Sequence, residues 1–363
     1  MHVALLTSAN GWRGSGSSYA KLARGLADRG HVAHLVTSAE RLTTKLEAME
    51  LPVTEIPGRN TGPREVWALL RILREIGADA VVADMPRDVR LAAYATLLHP
   101  ARIVYRYNLN YRRARGDLMD RVYLKRVAAC VYQSSYIQED AVAQAPWMGN
   151  IRAFRIPNGY DVDRYAPRPD EGRAFRQRYA IRSDARVVLT TAKLTRNKGH
   201  EVAIAALGQV HDGGTPLVYL ICGDGGREAE LRGLARSARL PAVFTGLLDP
   251  GEIVAALAAA DLVVHPSLNE IFPNAVGEAM ACARPIVAAD AGGTGELLGR
   301  EGDAGVLVPP GDPDALAAAV QELLADPDRR DRLGEAARLR IKSEFPLRRM
   351  IERYEAALLA VIE

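Results

Sequence analysis

Residues 262–281 read LVVHPSLNEIFPNAVGEAMA. The apolar run Leu262–His265 predicts a buried strand and Pro273–Ala281 predicts a helix, so the segment is a strand–loop–helix unit. Glu270 lies in the loop, and Glu278 lies about a turn and a half into the helix. Carboxylates suit sugar hydroxyls, and the N–H groups of a helix start suit phosphate. Two solvent-exposed carboxylates beside a helix start would give the same spacing, so both interpretations stay open.

The same alternation of apolar runs and amphipathic segments continues along the whole chain. Strands are predicted at Val3–Leu6, Val32–Thr37, Ala80–Ala83, Ile103–Tyr105, Cys130–Tyr132, Val187–Thr191, Leu217–Cys222, Leu262–His265 and Ile286–Ala288. Helices are predicted at Ser17–Arg29, Glu65–Ile76, Leu118–Val127, Tyr136–Ala143 with a capping box from Ser135 to Gln138, Glu201–Gln209, Glu228–Ala238, Pro273–Ala281, Ala315–Leu324 with Asp312 as N-cap, and Arg348–Ile362. This order predicts parallel strands with right-handed crossovers, an α/β doubly wound architecture.

A cluster of turn formers between Ile156 and Pro169 interrupts the alternation and predicts an interdomain linker. We therefore expect two Rossmann-like domains that face each other across a cleft. The first comprises residues 1–160 together with a C-terminal helix that returns to it (346–363), and the second comprises residues 161–345. Ligands of such domains bind outside the carboxyl ends of the strands.

Composition bounds the class of protein. The chain has 363 residues, 48% hydrophobic and 25% charged, which is ordinary for a globular protein. A net charge of +3 is too small to indicate nucleic acid as a partner. The three cysteines, Cys130, Cys222 and Cys282, show no metal-ligand spacing and favour a reducing compartment. The N-terminus lacks the pattern of a signal peptide and no apolar run has the length of a membrane span, so we expect a cytoplasmic location.

Two loops carry candidate anion-binding residues. The first strand leads into GWRGSGSS (11–18), whose backbone N–H groups suit an anion or a sugar hydroxyl, although a tight turn would need the same small residues. It is neither a P-loop nor a dinucleotide fingerprint. A later strand leads into KLTRNKG (193–199), with three cations in six residues. Cations placed there would stabilise the charge that grows on a leaving diphosphate, whereas a solvated basic loop would look the same.

Taken together, these segments resemble the retaining glycosyltransferase family 4, which has the GT-B fold. The matching segments run in order along nearly the whole chain: 11–31, IPNGYD (156–161), KLTRNKG (193–199), GDG (223–225), FTG (244–246), HPS (265–267) and residues 270–296 from Glu270 to GGTGE. Several ordered motifs are more specific than any one of them.

The resemblance implies the transfer of a hexose from a nucleotide diphosphate sugar, UDP-linked by default, to a hydroxyl of a glycan, lipid or small molecule. It implies retention at the anomeric carbon, no metal and no cofactor, and a place in polysaccharide biosynthesis. The implied catalytic residues are Glu270, Lys198 and Lys193. Glu278 would hold the ribose, and residues 245–247 would lie near the base. The full implied donor set is Gly14, Ser15, Gly16, Lys193, Arg196, Lys198, Gly223, Thr245, Gly246, Leu247, Glu270, Ile271, Phe272, Pro273, Asn274 and Glu278.

The chain departs from the family pattern at several positions. Lys193 stands where arginine is usual, and Arg196 would compensate. Ile271 and Ala283 replace common glycines. The histidine that many members carry after the fifth strand of the first domain is absent, since Arg106, Tyr107 and Asn108 lie there. These three residues become the acceptor-side candidates. The missing histidine motivates one alternative, a non-catalytic subunit that binds nucleotide sugar. A sugar-nucleotide 2-epimerase, which has a similar two-domain fold, is a second alternative, and the IPNGYD motif and the segment around Glu270 argue against it.

Residues 102–126 form a basic segment with a net charge of +6. Tyrosines 105, 107, 111 and 123 are interleaved with its cations. Such a segment suits anionic lipid headgroups or an anionic glycan, which adds peripheral contact with an anionic inner membrane face to the expected partners. A solvated helix face followed by a structural loop explains it equally well.

Overall fold

The computed structural model describes residues 1–9, 12, 16–58, 60–108, 123–300 and 302–363. Contacts divide the chain into two compact units. Unit 1 holds Met1–Gly159 and Arg348–Glu363, and unit 2 holds Tyr160–Leu347. The sequence prediction set the corresponding boundaries at residues 160 and 346.

Unit 1 is built on a parallel seven-stranded sheet with the order β3-β2-β1-β4-β5-β6-β7. Its strands are β1 (His2–Thr7), β2 (Val32–Thr37), β3 (Val53–Glu55), β4 (Ala80–Ala83), β5 (Arg102–Tyr107), β6 (Val127–Tyr132) and β7 (Arg152–Arg155). Its first helices are α1 (Ser17–Ala27), α2 (Glu40–Glu47), α3 (Pro63–Glu75), α4 (Pro86–Ala95) and α5 (Ser135–Gln144). The central strands are unbroken apolar runs, because helices cover both faces of a parallel sheet.

Unit 2 repeats this plan with a parallel six-stranded sheet, in the order β10-β9-β8-β11-β12-β13. Its strands are β8 (Arg186–Thr191), β9 (Leu217–Cys222), β10 (Ala242–Gly246), β11 (Leu262–His265), β12 (Ile286–Ala289) and β13 (Val306–Val308). Its helices are α6 (Pro169–Arg178), α7 (His200–Asp212), α8 (Glu228–Ser237), α9 (Pro250–Ala259), α10 (Asn274–Ala281), α11 (Thr294–Leu298), α12 (Pro313–Ala325) and α13 (Pro327–Glu344). Both sheets are of the Rossmann type predicted from the alternation.

The C-terminal helix α14 (Leu347–Ile362) packs in unit 1. Glu355 on α14 accepts a hydrogen bond from Arg29 Nε at 2.8 Å and lies 2.6 Å from His31 Nε2. Gly25 on α1 faces Ile351, and a Cβ at Gly25 would come within 2.5 Å of the Ile351 side chain. The missing side chain of Gly25 is therefore what lets α14 lie against α1.

Most predicted elements are confirmed, with ends that differ by a few residues. All nine predicted strands lie within strands of the structure. Asp312 does cap α12, since its side chain accepts from Ala315 N. The capping box at Ser135 is wrong: the cap of α5 is Ser134, which accepts from Ile137 N. Of the helix predicted at Leu118–Val127, residues 118–122 lie outside the described residues, Tyr123 and Leu124 are helical, and Val127 begins strand β6 instead.

The three cysteines are buried and form no disulfide. Burial raises the pKa of Cys130 and of Cys282 to about 12. A thiol with so high a pKa holds its proton at neutral pH and is a poor nucleophile. No helix in the described ranges combines the length and the apolar character needed to cross a bilayer.

Candidate active site

Each sheet reverses its strand order beside its first strand, between β1 and β4 in unit 1 and between β8 and β11 in unit 2. Ligands of such sheets bind outside the carboxyl ends of the strands at this switch point. In unit 2 the segments that leave the two strands are residues 193–199 after β8 and residues 266–273 before α10. These are two of the three segments that the sequence analysis singled out for chemistry.

The segment after β8 is held by close backbone packing. A Cβ at Gly223 would come within 1.9 Å of the Ala192 carbonyl oxygen, and one at Gly225 within 2.5 Å of the Leu194 carbonyl oxygen. Leu194 N also donates to Asp224 O at 2.8 Å. The GDG motif therefore lets the loop after β9 lie directly against the loop after β8. This explains Gly223 by a packing requirement.

A second set of contacts joins the loop after β8 to the loop after β11. Gly199 has a left-handed backbone (φ 65°), and a Cβ there would come within 2.0 Å of the Pro266 carbonyl oxygen. The carbonyl oxygen of Asn197 accepts from Leu268 N at 2.9 Å and from Ser267 Oγ at 3.1 Å. Lys198 lies between Asn197 and Gly199 in the sequence. These contacts therefore hold it beside the loop after β11.

Lys198, His265 and Glu270 form a cluster of three side chains at the switch point of unit 2. Glu270 Oε1 lies 2.5 Å from Lys198 Nζ and 3.0 Å from His265 Nε2. The Glu270 side chain is 12% exposed and that of Lys198 is 23% exposed. Among the described residues, both contacts converge on Oε1, and Oε2 has no hydrogen-bond partner. Glu270 is therefore oriented by two donors and keeps one oxygen for a ligand.

The charge state of Glu270 follows from these contacts. Burial alone would raise the pKa of the carboxyl, but the hydrogen bond from His265 and the positive charge of Lys198 outweigh it. The pKa of Glu270 is lowered to about 2. Glu270 is consequently ionised at every physiological pH and can only accept hydrogen bonds.

Glu278 lies half-buried on α10, and tyrosines from the linker region support it. Tyr165 shares a hydrogen bond with Glu278, and burial followed by the charge of Glu278 raises the pKa of Tyr165 well above its ordinary value. The ring of Tyr160 fills the space beside Gly277, where a Cβ would come within 2.1 Å of the ring. The Tyr160 hydroxyl donates to Pro273 O at 3.4 Å.

The other donor-side candidates of unit 2 share the same edge of the sheet. Lys193 follows β8 and is exposed, Thr245 and Gly246 end β10, and Leu247 follows them as an exposed side chain. Arg196 is also exposed, and its charge acts on Glu230 of α8. Phe272 and Pro273 are buried, while Ile271 and Asn274 are half-buried. Of the candidates in the N-terminal glycine loop, Gly14 and Ser15 lie outside the described residues, and Gly16 is buried at the start of α1.

The acceptor-side candidates have unequal surroundings. Arg106 is buried, with Nε donating to Tyr354 Oη at 3.1 Å and Nη2 to Asn158 Oδ1 at 3.2 Å. These contacts join strand β5 to α14 and to the segment that follows β7. Tyr107 is buried too, and its ring packs against Tyr105 and Tyr132. Asn108 is half-buried and is therefore the candidate of the three with side-chain surface to offer a ligand.

Asn108 belongs to a polar cluster at the carboxyl edge of the unit 1 sheet. Its side chain accepts from Gln133 Nε2 and donates to Asp84 Oδ2 at 3.5 Å. Next to Asp84, fully buried Asp88 accepts from Ser8 N at 2.8 Å and from Ser8 Oγ at 3.0 Å. Burial and the charge of Asp84 raise the pKa of Asp88 to about 7.

Sequence reasoning missed several residues of these sites. His265 was noted as part of a motif and given no role, while Tyr160 and Tyr165 were assigned to a linker. Asp84 and Asp88 follow a predicted strand, and polar residues directly after a strand of a parallel sheet are the signal that would have found them. In the described residues no three His, Cys, Asp or Glu side chains lie close enough to hold a metal ion. The metal-free reaction stays a prediction.

Comparison with known proteins addresses the family and the fold. The model of Glyco_transf_4 (Glycosyltransferase Family 4) matches residues 12–164, and that of Glycos_transf_1 (Glycosyl transferases group 1) matches residues 172–340. The crystal structure of Anabaena Alr3699/HepE in complex with UDP and glucose has a similar fold. It superposes with a TM-score of 0.87 at 22% identity, over 99% of this chain and 100% of that protein.

Curated relatives match over part of their length. A GDP-mannose-dependent monoacylated alpha-(1-6)-phosphatidylinositol monomannoside mannosyltransferase of Corynebacterium glutamicum is 31% identical over 54% of this chain and 54% of that protein. A D-inositol 3-phosphate glycosyltransferase of Corynebacterium jeikeium is 34% identical over 50% of this chain and 46% of that protein. The chain thus spans about half the length of the curated relatives it matches. Since the two family models together take in most of both units, the chain belongs to glycosyltransferase family 4 and has the GT-B fold.

Proposed function

We propose that the chain transfers a sugar from a nucleoside diphosphate donor, bound at the carboxyl edge of the unit 2 sheet, to an acceptor hydroxyl. The observation that carries this proposal is the cluster of Lys198, His265 and Glu270 at the switch point. It offers an ammonium group to a diphosphate and an ionised, oriented carboxylate to sugar hydroxyls. Family membership independently supports the same reaction class.

The reaction forms a bond between the acceptor oxygen and the anomeric carbon, and it breaks the bond between that carbon and the diphosphate oxygen. The electrons of the broken bond leave with the diphosphate, which takes up the hydroxyl proton. Lys198 has three N–H donors, so it can keep its hydrogen bond to Glu270 while it donates another to the leaving phosphate. A cation already in place stabilises the growing charge without reorganisation of the site. We retain the expectation that the anomeric configuration is preserved.

Glu278 is proposed to accept hydrogen bonds from the ribose, with Tyr165 holding the carboxylate. UDP is the proposed nucleotide, because it is the commonest donor nucleotide in this family and the one in the Anabaena complex. GDP is the alternative, since one relative is named for GDP-mannose. On the acceptor side, Asn108 is proposed to contact a hydroxyl of a glycan, a lipid or a small molecule.

The first test is thermal unfolding with UDP, GDP, ADP and their sugar conjugates. A ligand that binds only the folded protein adds roughly 2.7 kcal/mol at about 100 times its dissociation constant. We expect a rise in unfolding temperature with one of the three nucleotides, and a smaller rise with the same nucleotide for Glu278→Ala. Glu322→Ala, which removes an exposed carboxylate of α12, is the matched control. No shift with any nucleotide would contradict the donor site.

The second test separates transfer from the two alternatives. With the donor identified, release of nucleoside diphosphate should require an acceptor. Conversion of the donor without any acceptor would indicate an epimerase. Nucleotide binding without turnover, over a broad acceptor panel, would indicate a binding subunit.

A further inference from the structure

Helix α3 in unit 1 carries an exposed stripe that the proposed reaction does not use. Arg64, Trp67, Arg71 and Arg74 recur at intervals of three and four residues, which places them on one side of the helix. All four are exposed, and the indole of Trp67 is 62% exposed. The opposite side buries Leu69, Leu70, Ile72 and Leu73 against the unit. A solvent-facing tryptophan therefore stands between arginines.

The end of α4 adds two leucines to this stripe. Leu97 and Leu98 follow α4 and are 62% and 63% exposed. Helices α3 and α4 pack together, and Arg74 Nη2 donates to Leu98 O at 3.3 Å. This contact brings the leucine pair to the end of the α3 stripe. We call the six residues Arg64, Trp67, Arg71, Arg74, Leu97 and Leu98 the α3–α4 face.

Positive charge continues beyond the α3–α4 face at the amino edge of the sheet. A cavity of about 670 Å³ opens there, and its lining includes Arg102, Lys125 and Arg126. Arg126 Nη2 donates to Thr96 O at 2.8 Å, next to Leu97, so the cavity adjoins the leucine pair. Among the described residues, exposed Glu75 follows Arg74 on α3, and half-buried Asp79, which lines the cavity, accepts from His2 N at 2.7 Å. The arginine and lysine side chains of the face and of the cavity outnumber these two acidic residues.

We propose that the α3–α4 face docks unit 1 on an anionic lipid bilayer. Tryptophan and leucine enter the headgroup boundary, where indole rings favour the border between apolar and wet regions. Long arginine side chains lie at the level of the headgroups and contact lipid phosphate. The attachment is peripheral and reversible. This inference stands apart from the proposed donor chemistry, because no residue of the face belongs to the switch point of unit 2.

This surface differs from the basic segment at residues 102–126 that the sequence pointed to. Most of that segment lies outside the described residues. Of its described cations, Arg106 is buried, and Arg102, Lys125 and Arg126 only border the face. The apolar anchors come instead from α3 and from the end of α4. The bilayer is favoured as partner because exposed apolar side chains flanked by arginines complement a surface with a negative charge and an apolar interior.

The test is co-sedimentation of the full chain with vesicles. Vesicles of phosphatidylcholine alone are compared with vesicles of equal parts phosphatidylcholine and phosphatidylglycerol. Binding is expected only to the anionic vesicles and should weaken as salt is raised, because the attraction is screened. Leu97→Ser/Leu98→Ser and Trp67→Ser should each weaken binding by about tenfold. Arg64→Gln/Arg71→Gln should weaken it by about fivefold for each charge removed.

The matched control is Leu339→Ser/Arg332→Gln on α13 in unit 2, where Leu339 is 71% exposed. It removes an exposed leucine and an exposed arginine, and binding should not change. Unfolding temperatures of all variants are measured so that a folding defect is recognised. A Trp12→Phe/Trp147→Phe variant leaves Trp67 as the only tryptophan, and its emission should shift to the blue on anionic vesicles.

Absence of binding to anionic vesicles, or an unchanged emission of Trp67, would overturn the proposal. Equal losses in the control and in the face variants would overturn it as well. Failure of the donor panel alone leaves the vesicle result intact, so the two proposals fail separately.

Discussion

The two sheets have the same strand order at their switch points and carry opposite electrostatics there. In unit 2 the carboxylate of Glu270 lies between Lys198 and His265 and is ionised, with its pKa lowered to about 2. In unit 1 the carboxyl of Asp88 is buried beside Asp84, and its pKa is raised to about 7. Burial is the largest single influence on the pKa of both carboxyls. It sets the direction of the shift for Asp88, whereas for Glu270 the contacts with Lys198 and His265 outweigh it.

This difference teaches that the strand order selects the place of a site and leaves its chemistry to the residues that follow the strands. Lys198 reaches Glu270 because the loop after β8 is pinned to the loop after β11. In unit 1 the corresponding contact to Asp88 comes from Ser8, a neutral donor. Arg87 also lies 3.2 Å from Asp88, and its charge lowers the pKa less than burial raises it.

The largest expected effect concerns the cation of unit 2. Lys198→Ala should lower kcat/KM by about 10²–10³-fold, since it removes a preorganised donor to the leaving group. Release of nucleoside diphosphate with the identified donor measures it. Lys198→Arg keeps the charge and should retain a larger share of the activity. Unchanged turnover of Lys198→Ala would remove the leaving-group role.

The next effect concerns the carboxyl of unit 1. Between pH 3.8, the ordinary value for Asp88, and about 7, folded Asp88 keeps a proton that the unfolded chain has released. Stability therefore falls as pH rises, by about 1.4 kcal/mol per pH unit for this group. Asp88→Asn should remove that slope in urea unfolding between pH 5 and pH 7. Glu47→Gln on α2 is the control, and an unchanged slope in Asp88→Asn would contradict the assignment.

The contribution of Glu270 to stability has the opposite dependence on pH. Its stabilising contribution is present above the ordinary pKa of 4.5 and is lost only as pH falls towards about 2. Because that window lies below the pH range of the urea experiment, Glu270 contributes little to the slope measured between pH 5 and pH 7, and the difference between Asp88→Asn and the unaltered protein isolates the contribution of Asp88.

A smaller effect is expected at the ribose position. Glu278→Ala should weaken nucleotide binding by about tenfold, the cost of losing a hydrogen bond to a charged group. Isothermal titration with the nucleotide found in the unfolding panel measures the dissociation constant. Full affinity in Glu278→Ala would remove the ribose assignment, and Glu322→Ala again serves as the control.

The smallest expected effect sharpens the role of His265, which touches Glu270 and is not proposed to touch substrate. His265→Leu should lower kcat by about fivefold, because Glu270 would keep Lys198 as its donor and lose one hydrogen bond. His265→Gln supplies another N–H donor and should restore much of the activity. Equal activities of the leucine and glutamine variants would mean that His265 only fills space.

Much of the fold could be predicted because it depends on local pattern. Apolar runs identified the central strands, and the Asp312–Pro313 pair identified the start of α12. Elements with weaker local signals were missed. Helix α13 is long but rich in charge, with few buried residues, so its helical period is hard to see. Strands β3 and β13 have three residues each, too few to show a strand pattern.

The sequence by itself determined the class of the fold and the division into two units, and it supplied the candidate groups that are proposed to meet a nucleotide sugar. Only the tertiary structure decided which of them meet. Lys198 and Glu270 are 72 residues apart, and they touch because parallel pairing of β8 with β11 brings their following loops to one edge. The pKa values of Glu270 and Asp88 were likewise invisible in the sequence. They depend on burial and on neighbours that are remote in the chain, and local pattern carries no information about either.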